Sequence, residues 1–128
     1  MTAPDQHLET IPLYKVCQAR SGDKGDTCDI SVFAPNAEIY DALLLGLTPE
    51  AVKAHFGDYV RGEVRRYELP NLQALKFVCQ QALGGGGTAS LRSDNLGKSM
   101  AANLLRLALP LPADAAARSP IFHGPEAR

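Results

Sequence analysis

The chain has 128 residues, enough for one domain with a buried core. Its 45% hydrophobic and 21% charged residues are the proportions of an ordinary globular protein. A net charge of −1 argues against a nucleic-acid or anionic membrane surface as partner, because both require a basic excess.

Other counts narrow the class further. Cys17, Cys28 and Cys79 are odd in number and lack C-x-x-C spacing, which disfavours a zinc site or a disulfide framework and predicts a reducing, cytoplasmic setting. Met1–Glu9 is polar, so no signal peptide is expected, and no apolar run approaches the ~18 residues that span a bilayer. Without tryptophan and with few aromatics, an aromatic cage or a base-stacking platform is disfavoured.

In chain order, residues 1–10 read as a flexible arm. Ile11–Ala19 alternates as a strand, with Pro12 at its entrance. Arg20–Asp26 reads as a glycine-punctuated loop, and Asp29–Ala34 as a second strand. Asn36 is placed to cap a helix over Ala37–Leu45. Thr48-Pro49-Glu50 opens another helix, which Gly57 ends. Val60–Leu69 reads as a third strand whose Arg61, Arg65 and Arg66 alternate with Glu63 and Glu68 as a solvated face. Asn71 is expected to cap a helix over Leu72–Leu83, with Leu72, Leu75, Val78, Cys79, Ala82 and Leu83 as its apolar stripe. Gly84–Gly87 stop that helix, Thr88–Arg92 is extended, and Asp94 or Asn95 starts a last helix that turns Met100, Leu104, Leu105 and Leu107 to the core. From Pro110 the composition becomes Pro- and Ala-rich. Residues 109–128 therefore read as a tail without a core of its own, or as an arm that wraps a partner through Ile121, Phe122 and His123. The order predicts an α+β fold, a two-layer ferredoxin-like sandwich with a mostly antiparallel sheet and helices mainly on one face, over residues 11–108.

Two polar stretches stand out: Ala19-Arg20-Ser21-Gly22-Asp23-Lys24-Gly25-Asp26, and Leu91-Arg92-Ser93-Asp94-Asn95-Leu96-Gly97-Lys98 behind Gly84–Gly87. In the first, the glycines allow close backbone approach, and successive amides can cradle an anion. Arg20 can grip a carboxylate or phosphate with two parallel hydrogen bonds. The alternative is a tight turn whose Asp and Ser satisfy their own backbone. The spacing Asp23, Asp26, Asp29 is a poor metal site, since it misses the EF-hand pattern and Lys24 opposes a cation. Gly97-Lys98-Ser99 imitates the end of a P-loop, but Arg92 stands where the first glycine belongs. A weaker anion site remains there, with Lys98 and the amides of a helix start. No serine or cysteine has a well-placed histidine. His7 and His123 lie in the arms, and His55, beside Phe56 at a helix end, reads as a cap. Cys28 beside the first loop would be reactive only if Arg20 or Lys24 stabilised its thiolate, and reads more readily as a half-buried filler. Proton transfer would then fall to Asp23, Asp26, Lys24 or Lys98.

Taken with Arg66–Val78 and the Leu-Gly-Gly-Gly run at 83–86, these motifs resemble the small ferredoxin-fold domain of the acyclic terpene utilisation (AtuA) family, over about Leu13 to Leu107. One departure is Asp26-Thr-Cys-Asp-Ile30, where the family more often has Asn and Ala before an Ile-Gly pair. The domain occurs both fused behind a larger, catalytic-looking domain and as a separate small protein. The resemblance therefore implies a cytoplasmic accessory subunit in the breakdown of acyclic terpenes and related acyl-CoA or carboxylate compounds. Its implied partners are a larger AtuA-type subunit, a second copy, or both, and a small anionic metabolite. No cofactor and no metal are expected. The candidate catalytic pair is Asp23 and Lys24. The candidate anion ligands are Arg20, Ser21, Gly22, Gly85, Gly86, Arg92, Asp94 and Lys98. A stand-alone lyase or hydratase, and a structural oligomerisation module, are the alternatives.

Overall fold

Along Thr27–Phe33 every second side chain is buried, because a strand turns successive residues to opposite faces and only one face meets the core. The computed structural model describes residues 7–82 and 100–122, with the backbone alone at Asp23 and Lys24. Its larger sheet has four antiparallel strands: β2 (Gln18–Lys24), β3 (Thr27–Phe33), β4 (Val64–Leu69) and β5 (Ala74–Cys79), in the order β2-β3-β5-β4. Register stacks the buried pairs Cys28–Cys79, Ile30–Phe77 and Val32–Leu75 directly across β3 and β5. A smaller antiparallel sheet joins β1 (Leu8–Pro12) to β6 (Ala108–Pro112).

Helices cover the inner face of the larger sheet. Helix α1 (Ala37–Gly46) starts at Asn36, whose Oδ1 accepts from Ile39 N at 2.9 Å while its Nδ2 donates to Ala115 O at 3.1 Å. Helix α2 (Pro49–Phe56) starts at Thr48, whose hydroxyl accepts from Ala51 N at 3.0 Å, with Pro49 at the first position. Helical residues 100–104 (α3) and α4 (Ala113–Ala117) complete the layer. Ile39, Leu43, Leu47, Val52, Phe56, Met100, Leu104, Leu109 and Leu111 fill the space between helices and sheets. Each such side chain stabilises the fold by roughly 1.5–3 kcal/mol when fully buried. The architecture is the expected α+β, ferredoxin-like class.

Five local expectations are corrected. The first strand does not run through Ile11–Ala19. A 3-10 turn at Leu13–Lys15 divides it, because Leu13 N and Tyr14 N donate to Leu107 O and Leu105 O as the chain passes from the small sheet to the large one. Leu8–Thr10, expected in a loose arm, are paired in β1. Val60–Glu63 lies outside the sheet, and β4 begins only at Val64. Within the helix expected over Leu72–Leu83, Ala74–Cys79 is instead strand β5, and Leu83 lies outside the described residues: β5 is flanked on both sides by strands that pair with it, and tertiary pairing overrides an ambiguous apolar period. The stretch from Pro110, expected as a tail, contributes β6 and α4 and buries Leu109, Leu111, Ala115, Ala116 and Ser119. Ser119 Oγ donates to Val16 O at 2.8 Å and fastens this segment to the start of the domain. The start of the last helix at Asp94 or Asn95, and His123, lie outside the described residues.

Candidate functional site

The first polar stretch is the tip of a hairpin rather than a loop. Strands β2 and β3 pair from Gln18↔Phe33 to Lys24↔Thr27, which leaves Gly25 and Asp26 as a two-residue turn. Gly25 has φ of 60°. Asp26 has no positive φ. Glycine at the first central position is what a type II′ hairpin turn needs.

Pleating then sorts the motif. Arg20, Ser31, Lys76 and Tyr67 lie in one row across β2, β3, β5 and β4, and Gly22, Asp29, Val78 and Arg65 form the next. Both rows belong to the outer face, whose described side chains are exposed or half-exposed. Ser21 is opposite the buried Ile30 and therefore faces the other way, so the structure separates it from Arg20 although the two are adjacent in sequence. Asp23 and Lys24 are placed only as backbone, opposite Cys28 and Thr27. Gly85, Gly86, Arg92, Asp94 and Lys98 lie outside the described residues. Ala82, the last described residue before that stretch, donates its amide to Asp26 O at 2.9 Å. The chain thus leaves β5 from a point held against the turn of the first motif.

Asp29 organises the outer face. Its Oδ1 accepts from Gly22 N at 3.1 Å, and its Oδ2 lies 3.5 Å from Lys76 Nζ. A Cβ at position 22 would meet Asp29 Oδ1 at 3.1 Å, so glycine lets the carboxylate lie over β2. Arg65 Nε pairs with Glu63 at 3.2 Å. Hydrogen bonding to Tyr67, then to Glu63, raises the Arg65 guanidinium pKa further. Arg20 is exposed and makes no ion pair or hydrogen bond with its side chain among the described residues. Strands are ~4.8 Å apart, so the Arg20 and Lys76 backbones flank Ser31 at ~10 Å from each other, within reach of two long side chains converging above its hydroxyl. Two cations, one hydroxyl, and an acid that orients one of the cations are the kinds of group with which an oxyanion can hydrogen-bond.

Sequence reasoning missed Ser31 and Lys76, because reading Leu72–Leu83 as a helix removed Lys76 from any sheet. A period of two through Leu75, Phe77 and Cys79 was the available signal. Charge alternation along Val60–Leu69 likewise points to a solvated Arg66. Arg66 turns inward, with 17% of its side chain exposed. Its guanidinium donates to Leu44 O at 2.9 Å and Leu47 O at 3.1 Å, closing the C-terminal end of α1, and pairs with Glu68. Lys53 Nζ donates to Val60 O at 2.8 Å and Gly62 O at 2.7 Å. His55 does cap a helix, though not its own: Nε2 donates to Asn103 O at 2.8 Å, in the last turn of α3.

The cysteines are free thiols in the core. Burial pushes Cys17 up to about 12. Burial also pushes Cys79 up to about 11, against a small opposing effect of Lys53. Cys28 is fully buried on the inner face, across the sheet from the Arg20 side. No group of three or more His, Cys, Asp or Glu among the described residues is arranged to hold a metal ion. No described helix is long and apolar enough to cross a membrane.

Comparison with known proteins gives one family and one local similarity. A siroheme biosynthesis protein of Saccharomyces cerevisiae is 34% identical over 73 residues, which cover 51% of this chain and 26% of that protein. The chain thus spans about a quarter of the length of this curated relative. No solved structure matches the chain. The family model for the AtuA ferredoxin-like domain matches residues 11–110, from the end of β1 into β6, and the chain belongs to that family.

Proposed function

We propose that this AtuA-related domain is an accessory subunit that contributes an anion-binding face to a larger AtuA-type catabolic enzyme, receiving the carboxylate or acyl-CoA end of a terpenoid or related acyl substrate. The observation that carries this reading is Arg20: exposed, and without an acidic partner among the described residues, it stands in one row with Ser31 and Lys76, whereas Lys76 and Arg65 each have a carboxylate beside them. An unbalanced guanidinium over a hydroxyl-bearing sheet favours a ligand oxyanion in that place. The second motif, with Arg92, Asp94 and Lys98, is assigned to the same anion-binding role on its residue types. Asp23 and Lys24, at the hairpin tip, are the groups assigned to proton transfer in a lyase- or hydratase-type step, in this domain alone or within the assembly.

The test is thermal denaturation of the protein with acyl-CoAs, hydroxy- and dicarboxylates and phosphate, repeated with Arg20→Ala and Lys76→Met. A ligand-dependent rise that both substitutions abolish supports the face. A rise that neither alters removes it. Turnover by the isolated chain that is lost in Asp23→Asn and Lys24→Ala would instead make it a self-sufficient enzyme. Recovery of a larger subunit from the native host, lost in Arg20→Glu without unfolding, would make the face a subunit contact.

A further inference from the structure

A second cationic place lies apart from the outer row, where α2 meets the segment before β4. Lys53, Gly57, Asp58, Val60 and Arg61 line an open cleft of about 580 Å³ there, large enough for a small metabolite. The chain brings two cations together in it by covalent and hydrogen-bond constraint. Lys53 Nζ donates to the carbonyls of Val60 and Gly62, the two residues that flank Arg61. An ammonium has three N–H donors, so one remains after those two bonds. The backbone on either side of Arg61 is itself fixed, since Arg61 N and Gly62 N donate to Gln81 O and Gln80 O, both at 3.0 Å. Arg61 is exposed and has no ion-pair partner among the described residues, and Asp58 is the one carboxylate among the described lining residues.

Two like charges held in one cleft against a single acid leave a positive excess that an anion relieves. The Lys53 ammonium has lost the freedom of a solvent-exposed lysine, so little further ordering is needed when it binds a ligand. We infer that this cleft is a second anion site, taking a compact carboxylate or phosphate group between the remaining Lys53 N–H and the Arg61 guanidinium, with Asp58 accepting from a hydroxyl of the same ligand. It is independent of the Arg20 face: Arg61 precedes β4 at the far edge of the sheet from β2, so either site can fail without the other.

The experiment is amide-resolved magnetic resonance of the full chain, titrated with inorganic phosphate and, separately, with a hydroxycarboxylate such as lactate at constant ionic strength. Saturable shifts are expected at Gly57, Asp58, Val60 and Arg61, with affinity at least tenfold weaker in Arg61→Glu and unchanged in Arg20→Ala. Saturation with phosphate alone or with lactate alone identifies which oxyanion the cleft prefers. Shifts that do not saturate, that survive Arg61→Glu, or that vanish in Arg20→Ala overturn the inference. Because Lys53→Met removes two structural hydrogen bonds, Lys53→Arg is the second variant: it keeps the charge, and loss of the shifts in a folded Lys53→Arg together with their persistence in Arg61→Glu would likewise exclude the site.

Discussion

The two faces of the four-stranded sheet are built from the same strands and obey different rules. On the inner face, Cys28, Ile30 and Val32 meet Leu75, Phe77 and Cys79, and all six are fully buried. On the outer face, the residues between them, Asp29 and Ser31 on β3 and Lys76 on β5, are half-exposed, and Asp29 and Lys76 are joined by a 3.5 Å ion pair. A shift of one residue along a strand thus separates a position held by packing from one held by little. The inner face carries stability, and the outer face carries the polar chemistry.

The largest expected effect tests the inner half of this contrast. Phe77→Ala should cost about 3–5 kcal/mol in urea denaturation, whereas Lys76→Ala, one residue away, should stay within about 1 kcal/mol. Equal losses would mean that the faces do not divide the labour. Arg66 is the exception on the inner side, a charge turned inward to close α1. Arg66→Met should cost about 1–3 kcal/mol by leaving the Leu44 and Leu47 carbonyls without their donor, and the loss should appear first as fraying of α1 in hydrogen exchange.

The buried thiols give a pH-dependent version of the same test. Cys17 and Cys79 are raised from 9.0 to about 12 and about 11 in the folded state. Their contribution is therefore complete below the unfolded value of 9.0 and is lost as pH rises from there through the folded values. Stability should fall above that point by up to about 1.4 kcal/mol per pH unit for each thiol, and more shallowly in Cys17→Ala. An unchanged slope in that variant would show that Cys17 is not the group responsible. Thiol reagents should likewise label the folded protein slowly and the unfolded protein at once. The smallest stability effect belongs to the outer row: Arg20→Ala should alter stability by no more than about 0.5 kcal/mol and still abolish ligand-dependent protection. A large loss of stability would make Arg20 structural and end the reading of this face as a binding surface.

Local signals in the sequence were enough for the starts of α1 and α2. Asn36 and Thr48-Pro49 each satisfy an amide within three residues, so no distant contact is needed to place them. The alternation of Asp29–Ala34 and the two Arg-Ser-containing motifs were equally readable, and those motifs identified the family. Pro110 and Pro112 misled, because proline was read as ending regular structure. They sit in β6, which among the described residues pairs on one side, with β1, and a strand paired on one side does not need every amide. Residues 72–83 misled for a different reason. Leu72, Leu75, Val78, Cys79 and Ala82 fit a helical period, while Leu75, Phe77 and Cys79 fit a strand, and a short apolar run cannot decide between them.

The sequence by itself determined the caps of α1 and α2 and the family, since each depends on residues a few positions apart. Only the tertiary structure decided that 74–79 is a strand between β3 and β4, that Ser21 and Arg20 face opposite ways, and that Lys76 stands beside Asp29. Those outcomes depend on hydrogen-bonded register between strands, which for β3 and β5 joins segments more than forty residues apart, and a pleated strand shows which of its faces is buried only once its neighbours are in place.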